Sequence, residues 1–273
     1  MSVVHQALNK ITPAQIQEGR RAIQKMKIRR NDMVELQELY RSLVFQDLPE
    51  RQGRTDDLVE LIGTSAGEGI YISGFLSRCL QFGLKGDVCE FGVAQGATSR
   101  LLAREIQHTN KTLWLFDSFE GLPEPTIEDE LIDDIFGLGD MQSYAGTMKC
   151  QRTEVEGRLA AVGFPENRRQ IREGWINQTL ASKDVPSEVC FSYVDLDFYE
   201  PILDALRFLH SRTPVGGVVV VDDYGFFSSG AKTAVDEFVE DCQGQWEIIM
   251  PLAPAGKFCV LVRRHDASSG HER

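Results

Sequence analysis

Three aspartates at the ends of two predicted strands are the residues of this chain best suited to chemistry. Asp195 follows an apolar run over 189–194, and Asp222-Asp223 follow a run of four valines, 27 residues further on. Because the carboxyl ends of neighbouring parallel strands meet at one edge of a sheet, we expect these carboxylates to converge. Grouped negative charges raise one another's pKa, and a divalent cation removes that cost. An all-oxygen donor set suits a hard ion, so we predict Mg²⁺, with Ca²⁺ or Mn²⁺ as alternatives.

An ion held there can bind two adjacent hydroxyls of a sugar or a catechol and lower the pKa of the attacking one, as a metal does for bound water. Asp195 is then the candidate general base. None of the five histidines lies in these segments, which argues against a histidine base. The alternative is that each aspartate merely caps a neighbouring helix.

A glycine-containing turn is placed to hold the other reactant, between a buried strand predicted over 88–93 and a helix predicted over 97–106. Gly92 and Gly96 have no Cβ, so the backbone can turn tightly and a ligand can approach it. The free N–H groups at the helix start favour negative charge. Glu90 inside the strand needs a partner, since a lone buried carboxylate is costly, and a cationic ligand would supply one. Ordinary strand-to-helix turns also need glycine, so the glycines alone are weak evidence.

Two further segments can complete a nucleotide-like site. Asp117 ends the second predicted strand, 27 residues beyond Glu90, where an acid accepts hydrogen bonds from ribose hydroxyls; a loop cap is the alternative. Thr64 and Ser65 lie in a small-residue segment, 63–69, that interrupts a helical stretch. Their hydroxyls can hydrogen-bond a carboxylate or, in the plainer interpretation, cap the start of a helix.

The elements that must position these residues indicate an α/β fold with helices on both faces of a mostly parallel sheet. Seven strands are predicted, over 88–93, 112–116, 169–172, 189–194, 217–221, 246–250 and 258–262. Only residues 251–257 join the last two, a length that forces an antiparallel hairpin. We expect an N-terminal helical extension or lid over 1–80, a core over 81–264 and a disordered tail over 265–273.

Two charged segments stand out. Between Lys10 and Arg30 there are seven Lys or Arg and one acid, which predicts a solvated face or contact with the protein's own acidic region, with an anionic partner as the alternative. From Thr112 to Met148 there are nine acids and no Lys or Arg. The connection is long, so residues 124–150 are predicted to form a lid or substrate loop. An acidic lid suits a neutral or positive substrate, although simple solvation explains the charge equally well.

The bulk composition excludes several classes of protein. A net charge of −12 and a pI near 5.0 argue against binding to nucleic acid. The sequence has no run of about 18 apolar residues, so we expect no membrane span, and the N-terminus has no apolar signal region. Six cysteines form no C-x-x-C pair, which favours a reducing, cytoplasmic setting.

Several of these segments resemble a known family. Residues 90–96, Glu-Phe-Gly-Val-Ala-Gln-Gly, resemble the first motif, E-x-G-x-x-x-G, of class I S-adenosylmethionine-dependent methyltransferases. Three others are similar to the macrocin and aminocoumarin sugar O-methyltransferases: G-T-S-x-x-E-G-x-Y from Gly63, D-x-D-x-Y-E from Asp195, and D-D-Y from Asp222. The resemblance runs from about residue 60 to residue 263.

The resemblance implies the class I methyltransferase fold and a metal-dependent transfer of methyl from S-adenosylmethionine to a hydroxyl of a sugar or similar natural-product acceptor. It also implies a homodimer or larger homo-oligomer, and metal ligation by Asp195, Asp222 and Asp223. The cofactor residues it implies are Thr64, Ser65, Glu68, Glu90, Gly92, Gly96, Ser99, Asp117, Ser118, Gly174 and Trp175. Trp175 can stack on the adenine, and a place in the core is an equal alternative for it.

The chain departs from the family pattern at Leu196, where Gly is common, and at Pro201, where a small polar residue is common. These departures leave the metal motif intact and the acceptor unidentified, because substrate pockets vary on loops. Two other functions stay open. A nicotinamide-dependent oxidoreductase would leave the clustered acids unexplained, and the chain has neither a G-x-G-x-x-G turn nor a Tyr-x-x-x-Lys pair. The other is a non-catalytic protein that binds S-adenosylmethionine.

Overall fold

Seven strands form one sheet in the computed structural model, which describes residues 29–253 and 255–265. The strands are β1 (Asp87–Phe91), β2 (Leu113–Asp117), β3 (Arg169–Glu173), β4 (Val189–Val194), β5 (Val218–Val221), β6 (Trp246–Ile249) and β7 (Cys259–Arg263). Their order is β3-β2-β1-β4-β5-β7-β6. The first five pair in parallel, and β7 runs antiparallel to both of its neighbours. The predicted mostly parallel sheet with an antiparallel last strand is confirmed.

Helices cover both faces of the sheet. They are α1 (residues 29–43), α2 (Arg54–Val59), α3 (Ala66–Gln81), α4 (Ala97–Glu105), α5 (Arg152–Ala161), α6 (Ile176–Leu180), α7 (Tyr199–His210) and α8 (Ser229–Asp241). Single 3-10 turns lie at Gln142–Tyr144 and Glu166–Arg168. Among the described residues, no helix has both the length and the apolar composition needed to cross a bilayer.

The two faces of the sheet bury separate apolar clusters because successive strand residues point to opposite sides. In β5, Val218 and Val220 pack in the cluster that contains residues of α3, α4 and α5. Val219 and Val221 pack in the cluster that contains residues of α6, α7 and α8. A strand buried on both faces has no polar side to show, which explains the four consecutive valines.

The N-terminal helices pack on the core through apolar contacts and buried ion pairs. Twelve of the sixteen residues of α3 are buried, and several of them belong to the first cluster. Arg54 of α2 is 1% exposed and donates to Glu105 at 2.8 and 2.9 Å. Asp57, also of α2, pairs with Arg51 at 2.8 Å and with Arg100 of α4 at 3.0 Å. These pairs attach α2 to α4, the helix that follows the glycine turn.

Two predictions on the termini lie largely outside the described residues: the basic segment from Lys10 to Arg30, of which only its last two residues are described, and the tail from 265 onward, of which only His265 is described. All six cysteines lie within the described residues, and each is a free thiol.

Candidate active site

A cavity of about 660 Å³ opens at the carboxyl ends of β1, β2, β4 and β5. Its wall contains the turn after β1, the ends of β4 and β5, and parts of the acidic segment 124–150. Nine of the residues predicted for the site line it: Thr64, Glu90, Gly92, Asp117, Ser118, Trp175, Asp195, Asp222 and Asp223. Five do not: Ser65, Glu68, Gly96, Ser99 and Gly174.

The glycine turn brings the end of β1 against the end of β4. Gly92 has a φ of +79°, and a Cβ at this position would lie 1.7 Å from the carbonyl oxygen of Asp195. A residue with a side chain therefore cannot fit between the two strands. Gly96 precedes α4 with a φ of +78°. A Cβ at this position would lie close to Val155 of α5, and Gly96 does not line the cavity. The two glycines thus have different tasks, one at the cavity wall and one in helix packing.

The Asp117 carboxylate holds the glycine turn in shape. One of its oxygens accepts hydrogen bonds from the backbone N–H groups of Val93 and Ala94, at 2.6 and 2.9 Å, and the other accepts from that of Phe119 at 2.6 Å. Carboxylates that accept backbone N–H groups stabilise the local conformation. Asp117 therefore occupies two N–H groups of the turn, ahead of the helix start, while its own side chain still lines the cavity.

Glu90 is a buried acid at the floor of the cavity. It is 1% exposed, and Ser99 of α4 donates a hydrogen bond to it at 2.5 Å. Burial raises the pKa of Glu90 to about 8, against the lowering effect of the Ser99 hydroxyl. A carboxyl with this environment carries its charge most readily when a cation lies beside it. Ser99 does not line the cavity and contacts it only through Glu90.

Four aspartates lie together at the ends of β4 and β5, three of them expected to converge there. Burial, followed by Asp222 and Asp223, raises the pKa of Asp195 well above its ordinary value. Burial and the neighbouring Asp222 and Asp197 raise the pKa of Asp223 to about 9. Asp197 and Asp223 also have positive φ values, +61° and +55°, which are uncommon for residues with side chains. Strained backbone and crowded like charge together are typical of a functional site.

The donor set of this acid cluster (Asp195, Asp197, Asp222 and Asp223) matches a hard cation in chemistry, since it is made of carboxylate oxygens. A cation would also relieve the repulsion that raises these pKa values. However, no group of three or more His, Cys, Asp or Glu side chains within residues 29–253 and 255–265 has the arrangement of a formed metal site.

Ser65 and Glu68 lie elsewhere than their motif implied. Ser65 is the N-cap of α3: its hydroxyl accepts from the backbone N–H of Glu68 at 3.0 Å and donates to the carbonyl of Ala255 at 2.5 Å. Glu68 is 1% exposed, and burial and the charge of Asp222 raise its pKa well above the ordinary value. Its carboxyl is hydrogen-bonded to that of Asp222, and it does not line the cavity. Gly67 of the same segment packs against Ala255, so the small residues serve helix packing.

Sequence reasoning missed the apolar residues that line the cavity beside the acid cluster. These side chains come from the acidic segment, the turn just before it and the loop after β5: Leu122, Ile135, Phe136, Met148 and Phe226. The length of the segment was the available signal, but loop sequences do not predict which side chains turn inward. Tyr193 of β4 was also missed. Its hydroxyl donates to Asp222 at 2.8 Å, and a tyrosine two positions before Asp195 was the signal.

The acidic segment is fastened to the core at Asp129. This side chain is 5% exposed and accepts from the backbone N–H groups of Thr126 and Tyr199, both at 2.8 Å. Ser228, the N-cap of α8, lies 3.4 Å from the same carboxylate. The start of the segment is therefore held to the beginnings of α7 and α8.

The sheet order and the cavity at its carboxyl edge are those of the class I methyltransferases. The chain superposes on the O-methyltransferase NovP with a TM-score of 0.63 and 21% identity, covering 86% of this chain and 98% of that one. It superposes on the calicheamicin methyltransferase CalS11 with a TM-score of 0.57 and 17% identity, covering 93% and 94%. At these identities the likeness shows the fold.

The family follows from the sequence comparison. Residues 71–264 match the model of the macrocin O-methyltransferases (TylF), and the chain belongs to that family. It is an S-adenosylmethionine-dependent O-methyltransferase, which decides against the oxidoreductase and non-catalytic alternatives.

Two relatives with assigned activities share about 30% of their residues with this chain over the aligned part. The 8-demethyl-8-(2,3-dimethoxy-α-L-rhamnosyl)-tetracenomycin-C 4′-O-methyltransferase of Streptomyces olivaceus is 28% identical over 190 residues, 68% of this chain and 69% of that protein. The demethyldecarbamoylnovobiocin O-methyltransferase of Streptomyces niveus is 30% identical over 168 residues, 56% and 58% of the two chains.

Proposed function

We propose that this enzyme transfers the methyl group of S-adenosylmethionine to a hydroxyl of a sugar carried by a natural product, with Mg²⁺ as a cofactor. The observation that carries the proposal is the position of the acid cluster in the same cavity as Glu90 and the Gly92 turn. The relatives support it by name, since one methylates a rhamnosyl-tetracenomycin at the 4′ position. The enzyme's main task is to hold donor and acceptor close and aligned.

The cofactor is proposed to bind on the β1 and β2 side of the cavity. Glu90 would face its positively charged part, and Asp117 and Ser118 would accept or donate hydrogen bonds at its ribose. Trp175, half-buried at the start of α6, presents its ring to the cavity and would contact the adenine. Ser99 contributes indirectly by orienting Glu90.

Mg²⁺ is proposed to bind Asp195, Asp222 and Asp223, where it would lower the pKa of a coordinated hydroxyl. Asp195 is the candidate base because it lies between the two halves of the site: its backbone contacts Gly92 on the cofactor side, and its carboxylate lies near Asp222. The crowded carboxylates support the metal, because a divalent charge offsets their repulsion.

The acceptor is proposed to be neutral or positively charged, with an apolar portion. Lys149 is the single Lys or Arg among the described residues that line the cavity, and it pairs with Glu120. Glu124, Glu200 and Asp204 add negative charge on the acceptor side. Phe136 and Ile135 are 55% and 39% exposed and offer an apolar surface at the same place. A sugar joined to a diphosphate would be repelled by these three acids.

A methyl-transfer screen against neutral glycosides, amino glycosides, catechols and nucleotide-linked sugars, with and without EDTA, tests the proposal. We expect turnover of a glycoside that stops with EDTA and returns with Mg²⁺. Asp222→Asn should lower kcat at least about 100-fold while S-adenosylhomocysteine still raises the melting temperature. Asp133→Asn, an exposed acid of the same sign, should leave both unchanged. Methylation of a nitrogen acceptor that ignores the chelator would contradict the metal mechanism.

A homodimer or larger homo-oligomer remains a prediction for this chain, and light scattering on the purified protein measures it directly.

A further inference from the structure

Tyr193 contacts the acid cluster from inside the protein. It lies on β4, two residues before Asp195, and its side chain is fully buried. Its hydroxyl lies 2.8 Å from Oδ2 of Asp222, 3.3 Å from Oδ2 of Asp195 and 3.1 Å from Oγ1 of Thr64. It does not line the cavity. One phenol oxygen therefore touches an acid at the end of each of two strands, on the side away from the cavity.

The chemistry of the phenol fixes the direction of these hydrogen bonds. Tyr193 has one O–H to donate, and an ionised carboxylate can only accept. The proton therefore goes to Asp222, which is the nearer carboxylate, and Tyr193 must accept from Thr64. The result is a chain of donors from Thr64 through Tyr193 to Asp222, in which each bond strengthens the next.

We propose that Tyr193 is a positioning residue: its hydroxyl holds the carboxylate of Asp222 in the orientation that binds the divalent cation, and Thr64 orients the hydroxyl. The inference depends on the metal-dependent function proposed above. Groups that hydrogen-bond to metal-binding side chains fix their orientation, and losing one commonly weakens metal binding about 10- to 100-fold. The contact also connects the segment before α3 with the acid cluster, because Thr64 directly precedes the N-cap of that helix.

Tyr193→Phe removes one oxygen atom and keeps the buried ring. Mn²⁺ binding, followed by electron paramagnetic resonance without cofactor or acceptor, should weaken about 10- to 100-fold. In turnover assays kcat should fall by at least about 10-fold, while KM for S-adenosylmethionine stays within about two-fold, since the cofactor side is untouched. Thr64→Val should weaken Mn²⁺ binding less, and should add nothing in the Tyr193→Phe background, because Thr64 acts through Tyr193.

Tyr40→Phe is the matched control. Tyr40 is 2% exposed, and its hydroxyl donates to the carbonyl of Leu252 at 3.3 Å, away from the acids. It should lose stability as Tyr193→Phe does and keep its Mn²⁺ affinity. If Tyr193→Phe binds Mn²⁺ as tightly as the parent and keeps its kcat, Tyr193 is only structural and the inference is wrong.

The experiment also distinguishes a failure of this inference from a variant that does not fold and from a failure of the metal proposal. If Tyr193→Phe does not fold, Thr64→Val decides: unchanged Mn²⁺ affinity in that variant overturns the inference. If the parent enzyme binds no Mn²⁺ and methylates its acceptor in EDTA, the metal proposal fails and this inference fails with it. If the parent and the Tyr193→Phe variant bind Mn²⁺ equally well, this inference fails and the metal proposal still holds.

Discussion

At the scale of single residues, Gly92 is the glycine, among those described, at which the structure leaves least room for a side chain. Gly92→Ala would combine a positive φ with a Cβ 1.7 Å from a backbone oxygen. Gly163→Ala is the matched control, since Gly163 has a φ of +69° and nothing within 4 Å of the added atom. We expect Gly163→Ala to cost about 1 kcal/mol of unfolding free energy and Gly92→Ala more than about 3 kcal/mol.

Urea unfolding and S-adenosylhomocysteine binding measure the two effects. Gly163→Ala should keep its affinity for this product, and Gly92→Ala should lose it together with its stability. Equal losses in the two variants would mean that the backbone angle, and not the contact with Asp195, makes glycine necessary at position 92.

The sequence allowed the acids to be predicted better than the small polar residues. Asp195, Asp222 and Asp223 end strands, and strand ends in a parallel sheet have one possible meeting place. Ser65 and Glu68 depended on a motif, and a motif does not show whether a helix start turns a side chain to a ligand or to its own backbone. Ser65 caps α3 because the first N–H groups of a helix need acceptors.

At the scale of elements, Asp129 is one of several contacts that hold the acidic segment to the start of α8. Asp129→Ala would remove the acceptor of two part-buried backbone N–H groups, at a cost of about 1 kcal/mol. We expect faster cleavage after Glu130 by a glutamate-specific protease, and a higher KM for the acceptor. Binding of S-adenosylhomocysteine should change less than about two-fold, because Asp129 lies on the side of the cavity proposed for the acceptor.

Asp133→Ala is the control, since Asp133 is exposed and its side chain has no hydrogen-bond or ion-pair partner among the described residues. It should be cleaved at the parental rate. If Asp129→Ala resists the protease as the parent does, the anchor is not what orders the segment.

The element boundaries were predictable to within two residues at each strand end, because apolar runs such as 189–194 and 218–221 are bounded by polar or glycine-containing turns. The position of β7 between β5 and β6 was not predictable in this way. A short hairpin requires that β6 and β7 pair, but either strand of it can join β5, and the choice is made by side-chain packing across the whole sheet.

At the scale of the whole molecule, excess negative charge at the site should make the ligand-free protein less stable as the pH rises. Glu90 has a pKa of about 8 in the fold, against an ordinary value of 4.5. Between these two pH values the unfolded chain loses this proton and the folded chain keeps it, so unfolding becomes easier. Asp195, Asp222, Asp223 and Glu68 shift in the same direction.

The melting temperature of the ligand-free enzyme should therefore fall steadily between about pH 5 and pH 8. Glu90→Gln should make this fall shallower, whereas Glu35→Gln, at an exposed position of α1, should not. S-adenosylmethionine and Mg²⁺ should reduce the fall, because positive charge stabilises the ionised carboxylates. A melting temperature that rises with pH over this range would contradict the raised pKa values of these acids.

Because β7 lies between β5 and β6, the sheet can complete its pairing only late in synthesis. Neither β5 nor β6 has a hydrogen-bonded neighbour on its β7 side until Cys259–Arg263 has left the ribosome. Because domains fold as units during synthesis, a nascent chain arrested before Cys259 should remain open to protease at β6, and one extended past Arg263 should not. The last of the described strands to be translated thus completes the pairing of both β5 and β6.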